Sequence, residues 1–299
     1  MLVEQILKEI SEAKSKGAIT AGLNIFDGLD EYKPSSTLSG QVEYTFEIYD
    51  EYVKRVVGLG EDFQNKYLNA LKNSDIVDNQ SIEKEDSLLI RIYRTFNDKD
   101  SALDLLIRNY GKSLTVDNFT FIHDILLDGT SSEDKKGLRI DDMKYVGRID
   151  EFGERHIEYF PILQEEIGMA VEKFITYYNS HINVDDIYDA TYQPIIYNGL
   201  IAALQLFNDG NSRYGRLFQN IEYWGKVNQL LDVKIKKPLV YISRQCYPYR
   251  GEARELIKDI VVCNSKESWD NWIKFNLKRI QDNIYKSEYN INVLSRKLR

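Results

Sequence analysis

The residues best suited to chemistry stand together in Gln205-Leu206-Phe207-Asn208-Asp209-Gly210-Asn211-Ser212-Arg213-Tyr214-Gly215-Arg216. This stretch joins a segment that is apolar on nearly all sides to an amphipathic one, so it reads as a loop opening a helix. Gly210 lets the backbone approach a ligand closely, and the unpaired N–H groups of the following helical turn favour an anion there. Arg213 and Arg216 are three positions apart, hence on one side of that first turn. Their side chains lean back toward the helix start, where two guanidinium forks can meet a phosphate. Asp209 would repel such an anion unless a divalent cation lay between them, and Mg²⁺ held by one carboxylate and phosphate oxygens resolves the conflict. The same residues also read as a plain turn, with Asn211 or Ser212 capping the helix and both arginines paired with surface acids.

The loop resembles the signature of Fic (Fido) proteins, H-x-F-x-[D/E]-G-N-G-R-x-x-R, which Phe207, Asp209, Gly210, Asn211, Arg213 and Arg216 match. Gly137-Leu138-Arg139, Val146-Gly147 and Pro161 are similar to the family's strand hairpin, or flap, which lays a target segment beside the nucleotide. Pro238-Leu239-Val240-Tyr241-Ile242-Ser243 and Trp269-Asp270-Asn271-Trp272-Ile273 resemble its C-terminal helices. The resemblance implies a mainly α fold, a Fic-type helical bundle with a small β-hairpin flap. It also implies transfer of a nucleotide monophosphate, usually AMP from Mg-ATP, to a Ser, Thr or Tyr hydroxyl of a protein. In that reading Asp209 holds Mg²⁺, while Gly210, Asn211 and Ser212 form the cradle. Arg213 and Arg216 clamp the outer phosphates, Phe207 anchors the core, and Arg139, Val146 and Gly147 belong to the flap.

Two departures bear on activity. The histidine that should deprotonate the attacking hydroxyl is replaced by Gln205, whose amide accepts no proton near neutral pH, a loss that typically costs about 10²–10⁴ in rate. Ser212 replaces the second glycine and crowds the place of the pyrophosphate. The family's inhibitory helix, [S/T]-x-x-x-E-[G/N], lines up with Ser35 to Gly40, where Ser39 stands in place of the glutamate. Glu43, one helical turn further on, is the one acid placed to substitute for it. Of the histidines, His123 sits on an apolar helical face as a core residue, His181 lies at a helix end, and His156 is on the flap side.

These residues must be positioned by helices. Residues 1–16 have an amphipathic spacing, 17–34 are irregular, and a helix starts near Ser35. Apolar residues recur at three and four positions over 42–75 and 82–127. The period breaks at 128–137, and 138–160 reads as a hairpin punctuated by Gly147 and Gly153. Helix resumes after Pro161, runs again over Pro194–Phe207, and starts once more near Ser212 or Arg213. The resemblance implies boundaries of 1–100 for an N-terminal helical extension carrying the degenerate inhibitory motif, 101–235 for a Fic-like core with flap and loop, and 236–299 for C-terminal helices packed on that core. No linker separates autonomous domains.

Composition narrows the classes. The chain has 299 residues and a formal net charge of −8, which argues against binding nucleic acid through bulk charge. The run Lys226, Lys234, Lys236, Lys237 reads as a solvated face. Cys246 and Cys263 form no metal-ligand spacing and read as buried small apolar residues of a reducing cytoplasm. No segment has the length of a membrane span or the order of a signal peptide. Three functions follow: a nucleotide-binding pseudoenzyme acting with a protein target or regulator, an active transferase lacking the usual base, and an interaction or toxin-antitoxin-like module. A homo-oligomer is compatible with each.

Overall fold

The computed structural model of the protein describes residues 2–15, 17–82, 101–142, 144–149 and 155–297. The part of the expected 82–127 helical pattern that falls on 83–100, and Gly153 of the hairpin, lie outside them. The described elements are α1 (Leu2–Ser15), α2 (Ser36–Val57), α3 (Glu61–Ile82), α4 (Ala102–Asn109), α5 (Val116–Leu127), β1 (Val146–Ile149), β2 (Arg155–Tyr159) and α6 (Ile167–Ser180). They continue as α7 (Ile187–Leu204), α8 (Asn211–Leu230), the one-turn α9 (Ser243–Cys246), α10 (Arg250–Cys263) and α11 (Lys266–Lys297). The architecture is mainly α with a small antiparallel hairpin.

The centre is α7. Its sequence has no polar stripe, so it is buried on every side, packed most extensively on α8 and flanked by α2, α10 and α11. Its start is fixed by Asp186, whose carboxylate accepts from the N–H groups of Tyr188 and Asp189 at 2.8 and 2.9 Å. Where α7 must carry a polar group inward, Asn198 donates to Gln219 Oε1 of α8 at 2.6 Å, as a buried amide requires. The last helix closes over this pair, with Trp272 Nε1 donating to the Ile195 carbonyl at 3.0 Å. Helix α2 starts next to Ser35, where the sequence predicts a helix start, with Ser35 as its cap, but it is not short, running 22 residues, and the Ser101/Asp104 capping box starts α4.

In the hairpin, Gly147 faces Ile157, and a Cβ at Gly147 would lie 2.3 Å from the His156 carbonyl oxygen, so only glycine allows the strands to approach there. The N-terminal segment extends this hairpin: the Ala21 N–H donates to the Phe160 carbonyl at 2.7 Å, and Phe160 N–H to the Ile19 carbonyl at 2.8 Å.

Several expectations need correction. Pro238–Ile242 is not helical; it is a buried irregular segment pinned where Asn220 Oδ1 accepts the Ile242 N–H at 3.2 Å, and a helix begins only at Ser243. After Pro161 a short 3-10 turn precedes α6. Lys226 is no solvated residue: it is buried beside Glu222 and donates to the His181 carbonyl. Burial pushes Glu222 up to about 7 against the pull of Lys226 and Tyr178, and pushes Lys226 down. Cys263 is exposed and Cys246 only half-buried.

Candidate functional site

The loop is made by an abrupt helix end. Helix α7 stops at Leu204 because Gln205 adopts a left-handed conformation, φ 51° and ψ 54°, which turns the chain toward the hairpin. Residues 206–208 then pair with the segment preceding β1. The Arg139 N–H donates to the Leu206 carbonyl at 2.9 Å, Leu138 and Phe207 form an antiparallel bridge, and the Asn208 side chain donates to the Lys136 carbonyl at 3.2 Å.

Helix α5 supports the loop from beneath. Phe207 is buried and stacks on the His123 ring, centroids 3.7 Å apart, while His123 Nε2 donates to the Asp209 carbonyl at 2.7 Å. Burial lowers the affinity of His123 for a second proton, opposed by its contacts with Asp209 and Asp124. His123 is thus the buried structural histidine expected, with the added task of holding the loop. The loop then turns at Gly210, φ 77°, where a Cβ would come within 3.0–3.1 Å of Leu127 and His123. Gly210 is the N-cap residue of α8, so neither Asn211 nor Ser212 caps it.

The structure separates the signature residues by task. Asn211 does not face outward as a cradle side chain: its amide donates to the Phe207 carbonyl at 2.9 Å and accepts the Phe207 N–H at 3.0 Å, closing the loop on itself. Arg213 is buried, with Nη2 3.9 Å from Asp209 Oδ1. Arg216, Ser212 and Gln205 line a common cavity of about 270 Å³, together with Val146 of the hairpin, Arg250 and Arg254 of α10, and Asn276 of α11. Asn276 is buried, and its Oδ1 has no hydrogen-bond partner, an orphaned acceptor in the wall of a basic cavity. That orphan and the convergent arginines fit a ligand with anionic and hydrogen-bonding parts, as a nucleotide has.

At the expected base position, Gln205 Nε2 donates to the Ala202 carbonyl one turn back, at 2.7 Å. Arg139 lies before the strands and is buried as a tie. It reaches the carbonyls of Gln205 (3.3 Å), Asp141 and Ile162, and so fixes the loop to the hairpin base.

The inhibitory-motif residues are elsewhere. Ser35 and Ser39 are engaged in the start of α2, the Ser39 hydroxyl donating to the Ser35 carbonyl at 3.2 Å. Neither they nor Gly40 line the Arg216 cavity. Glu43 accepts from the Tyr188 hydroxyl at the opposite end of α7 from the loop. His156, on β2, opens onto a different cavity beside Glu9 and Glu12 of α1.

Asp209 is surrounded. Burial would raise its carboxyl, but the Ser132 hydroxyl (2.6 Å to Oδ2), the Gly210 N–H (2.6 Å to Oδ1), Arg213 and Lys144 together hold it below the usual carboxylate range. Lys135 Nζ stands 3.7 Å from Oδ2. Lys144 donates to the carbonyls of Phe207 (3.1 Å) and Asn208 (3.0 Å), and burial pushes it down to about 8. Ser132, Lys135 and Lys144 were absent from the sequence reading because they stand more than sixty residues from the loop and share no spacing with it.

Comparisons with known proteins agree with this arrangement at the level of fold. No family model matches the chain, and no curated protein matches it. Solved structures do. A Fic family protein from Desulfovibrio desulfuricans G20 is similar over 87% of this chain and 76% of its own, with 12% identity and a TM-score of 0.55. A Fic domain containing signaling protein from Bacteroides thetaiotaomicron VPI-5482 gives 83% and 95% coverage, 10% identity and a TM-score of 0.56. The chain has the Fic fold. A fragment of Fic-1 from C. elegans is similar over 85% of this chain and 73% of its own, at 13% identity and a TM-score of 0.51. No helix among the described residues is long and apolar enough to cross a membrane. On this Fic fold the loop 205–216 joins the two central helices, and its cavity opens beside the hairpin.

Proposed function

We propose that this Fic-fold protein binds a nucleotide at the loop 207–216 and has lost, or strongly reduced, AMP transfer to protein hydroxyls. The observation that carries the reading is the pairing of a basic cavity, reached by Arg216, Arg250 and Arg254, with an amide at its wall in place of a base. The arginines supply recognition of phosphate. Gln205 accepts no proton there, so nucleophile activation by a general base is missing. A protein partner in the cytoplasm, as target or regulator, would use the hairpin side of the cavity.

One observation favours a second reading, an active transferase without the usual base. With its nitrogen engaged by Ala202, the Gln205 side-chain carbonyl is the end left to accept a hydroxyl hydrogen bond. Phosphoryl-transfer enzymes do use a glutamine to orient a nucleophile.

Calorimetry with ATP and other nucleotides tests binding, and label transfer from α-labelled ATP to the protein or to lysate proteins tests chemistry. Binding without transfer supports the first reading. Robust transfer by the intact chain supports the second, and no binding at millimolar nucleotide removes both.

A further inference from the structure

The fold and the loop sequence imply a Mg²⁺ on Asp209, and the donor set around that carboxylate does not suit one. Its Oδ1 accepts the Gly210 N–H and its Oδ2 the Ser132 hydroxyl, each at 2.6 Å. Lys135 stands 3.7 Å from one oxygen and Arg213 3.9 Å from the other. The Lys144 ammonium is bound by the carbonyls of Phe207 and Asn208, on the N-terminal side of Asp209. A dication entering here would compete with these hydrogen bonds for the one carboxylate of the loop and would meet the charges of Lys135, Arg213 and Lys144 around it. Lys136, by contrast, is not available to the loop, being paired with Asp128 and Glu133.

We propose that Lys135 and Lys144 stand in for the divalent cation, so that the loop takes the oligophosphate of a nucleotide without metal. The inference rests on the nucleotide reading above. A compact ammonium serves phosphate as a point charge and needs no coordination geometry. Lys135 is half-exposed and stands 3.7 Å from Asp209, within reach of a phosphate bound at the loop, whereas Lys144, donating to the Phe207 and Asn208 carbonyls, is built into the loop and its charge acts on Asp209 from the protein side. Arg216 at the cavity wall then adds directional hydrogen bonds that a magnesium ion would otherwise share.

The experiment is calorimetric titration of the full chain with ATP and with inorganic tripolyphosphate, each in EDTA and in excess Mg²⁺. It uses the wild type, Lys135→Met, Lys144→Met and Asp209→Asn. Wild-type affinity for ATP in EDTA is expected to lie within about threefold of that with Mg²⁺, and Lys135→Met to weaken binding in EDTA about tenfold. Asp209→Asn is the sharpest arm. Removal of a carboxylate that only repels phosphate tightens metal-free binding, whereas removal of a metal ligand weakens binding in Mg²⁺. Lys144 is largely buried, so a Lys144→Met chain that fails to fold leaves the exposed Lys135 and half-buried Asp209 variants to decide.

ATP that binds only with Mg²⁺, and is weakened by Asp209→Asn, overturns the inference and leaves the nucleotide reading standing. Tripolyphosphate binding in EDTA without ATP binding removes the nucleotide reading while the lysine site stands. Binding of neither ligand in either condition overturns both.

Discussion

The two ends of the loop are built differently. From Leu206 to Asp209 each residue is tied to another part of the chain, Leu206 to Arg139, Phe207 to His123, Asn208 to Lys136 and Asp209 to Ser132, and Asn211 closes the loop back on Phe207. At Gln205, only the main chain is tied across the fold, through Arg139, and the side chain turns back on its own helix at Ala202. The difference teaches that the support of the phosphate end does not pass through the residue expected to act as base. A side-chain change at 205 that keeps its left-handed turn and its carbonyl's bond to Arg139 therefore alters chemistry with little effect on shape.

The largest expected effect tests that independence. Gln205→His is expected to raise label transfer from α-labelled ATP by as much as the roughly 10²–10⁴ that a general base contributes. Ser212→Gly is added if the exposed serine at the cavity wall crowds the phosphates. An unchanged melting temperature in the same variants would sharpen the contrast, and a fall would break it.

The supported end should respond in the opposite way. His123→Phe keeps a ring against Phe207 but leaves the part-buried Asp209 carbonyl without its donor, a cost of about 1 kcal/mol. Denaturant unfolding reads this directly. Arg216→Gln is expected to weaken ATP binding about tenfold, the worth of one charge-assisted contact, measured by calorimetry.

Smaller again is a pH effect. The folded-state affinity of His123 for a proton lies below its ordinary value of 6.5, so the unfolded chain binds more protons in that window. Its contribution to stability is full above about pH 6.5 and declines as pH falls toward the folded value. Wild type should therefore lose more stability than His123→Phe between neutral and mildly acid pH. Least of all, Glu43→Gln should leave nucleotide turnover unchanged, because Glu43 bonds Tyr188 and not the cavity. Strong activation would instead make Glu43 a brake.

The sequence carried what is local. An apolar run without a stripe becomes the central helix, Ser35 is a cap, and Gly210 turns the loop. It could not carry contacts made across sixty or more residues, which is why Lys144, Ser132 and the orphaned Asn276 had no signal. Asn211 misled for a related reason: its residue type suits a ligand as well as it suits the Phe207 main chain, and only the closed geometry decides. Pro238–Ile242 was apolar enough for a helix, yet its burial is achieved in an irregular path.

The bond between His123 and the loop is made to the carbonyl of Asp209, not to its side chain. Any residue at 209 offers the same carbonyl, so the anchor is blind to what the side chain is. A change of side chain at this position therefore keeps the His123 anchor and alters only the ties to Ser132 and the Gly210 N–H. The loop's main-chain anchor on helix α5 is thus set apart from the charge the loop presents, and the two can be varied one at a time.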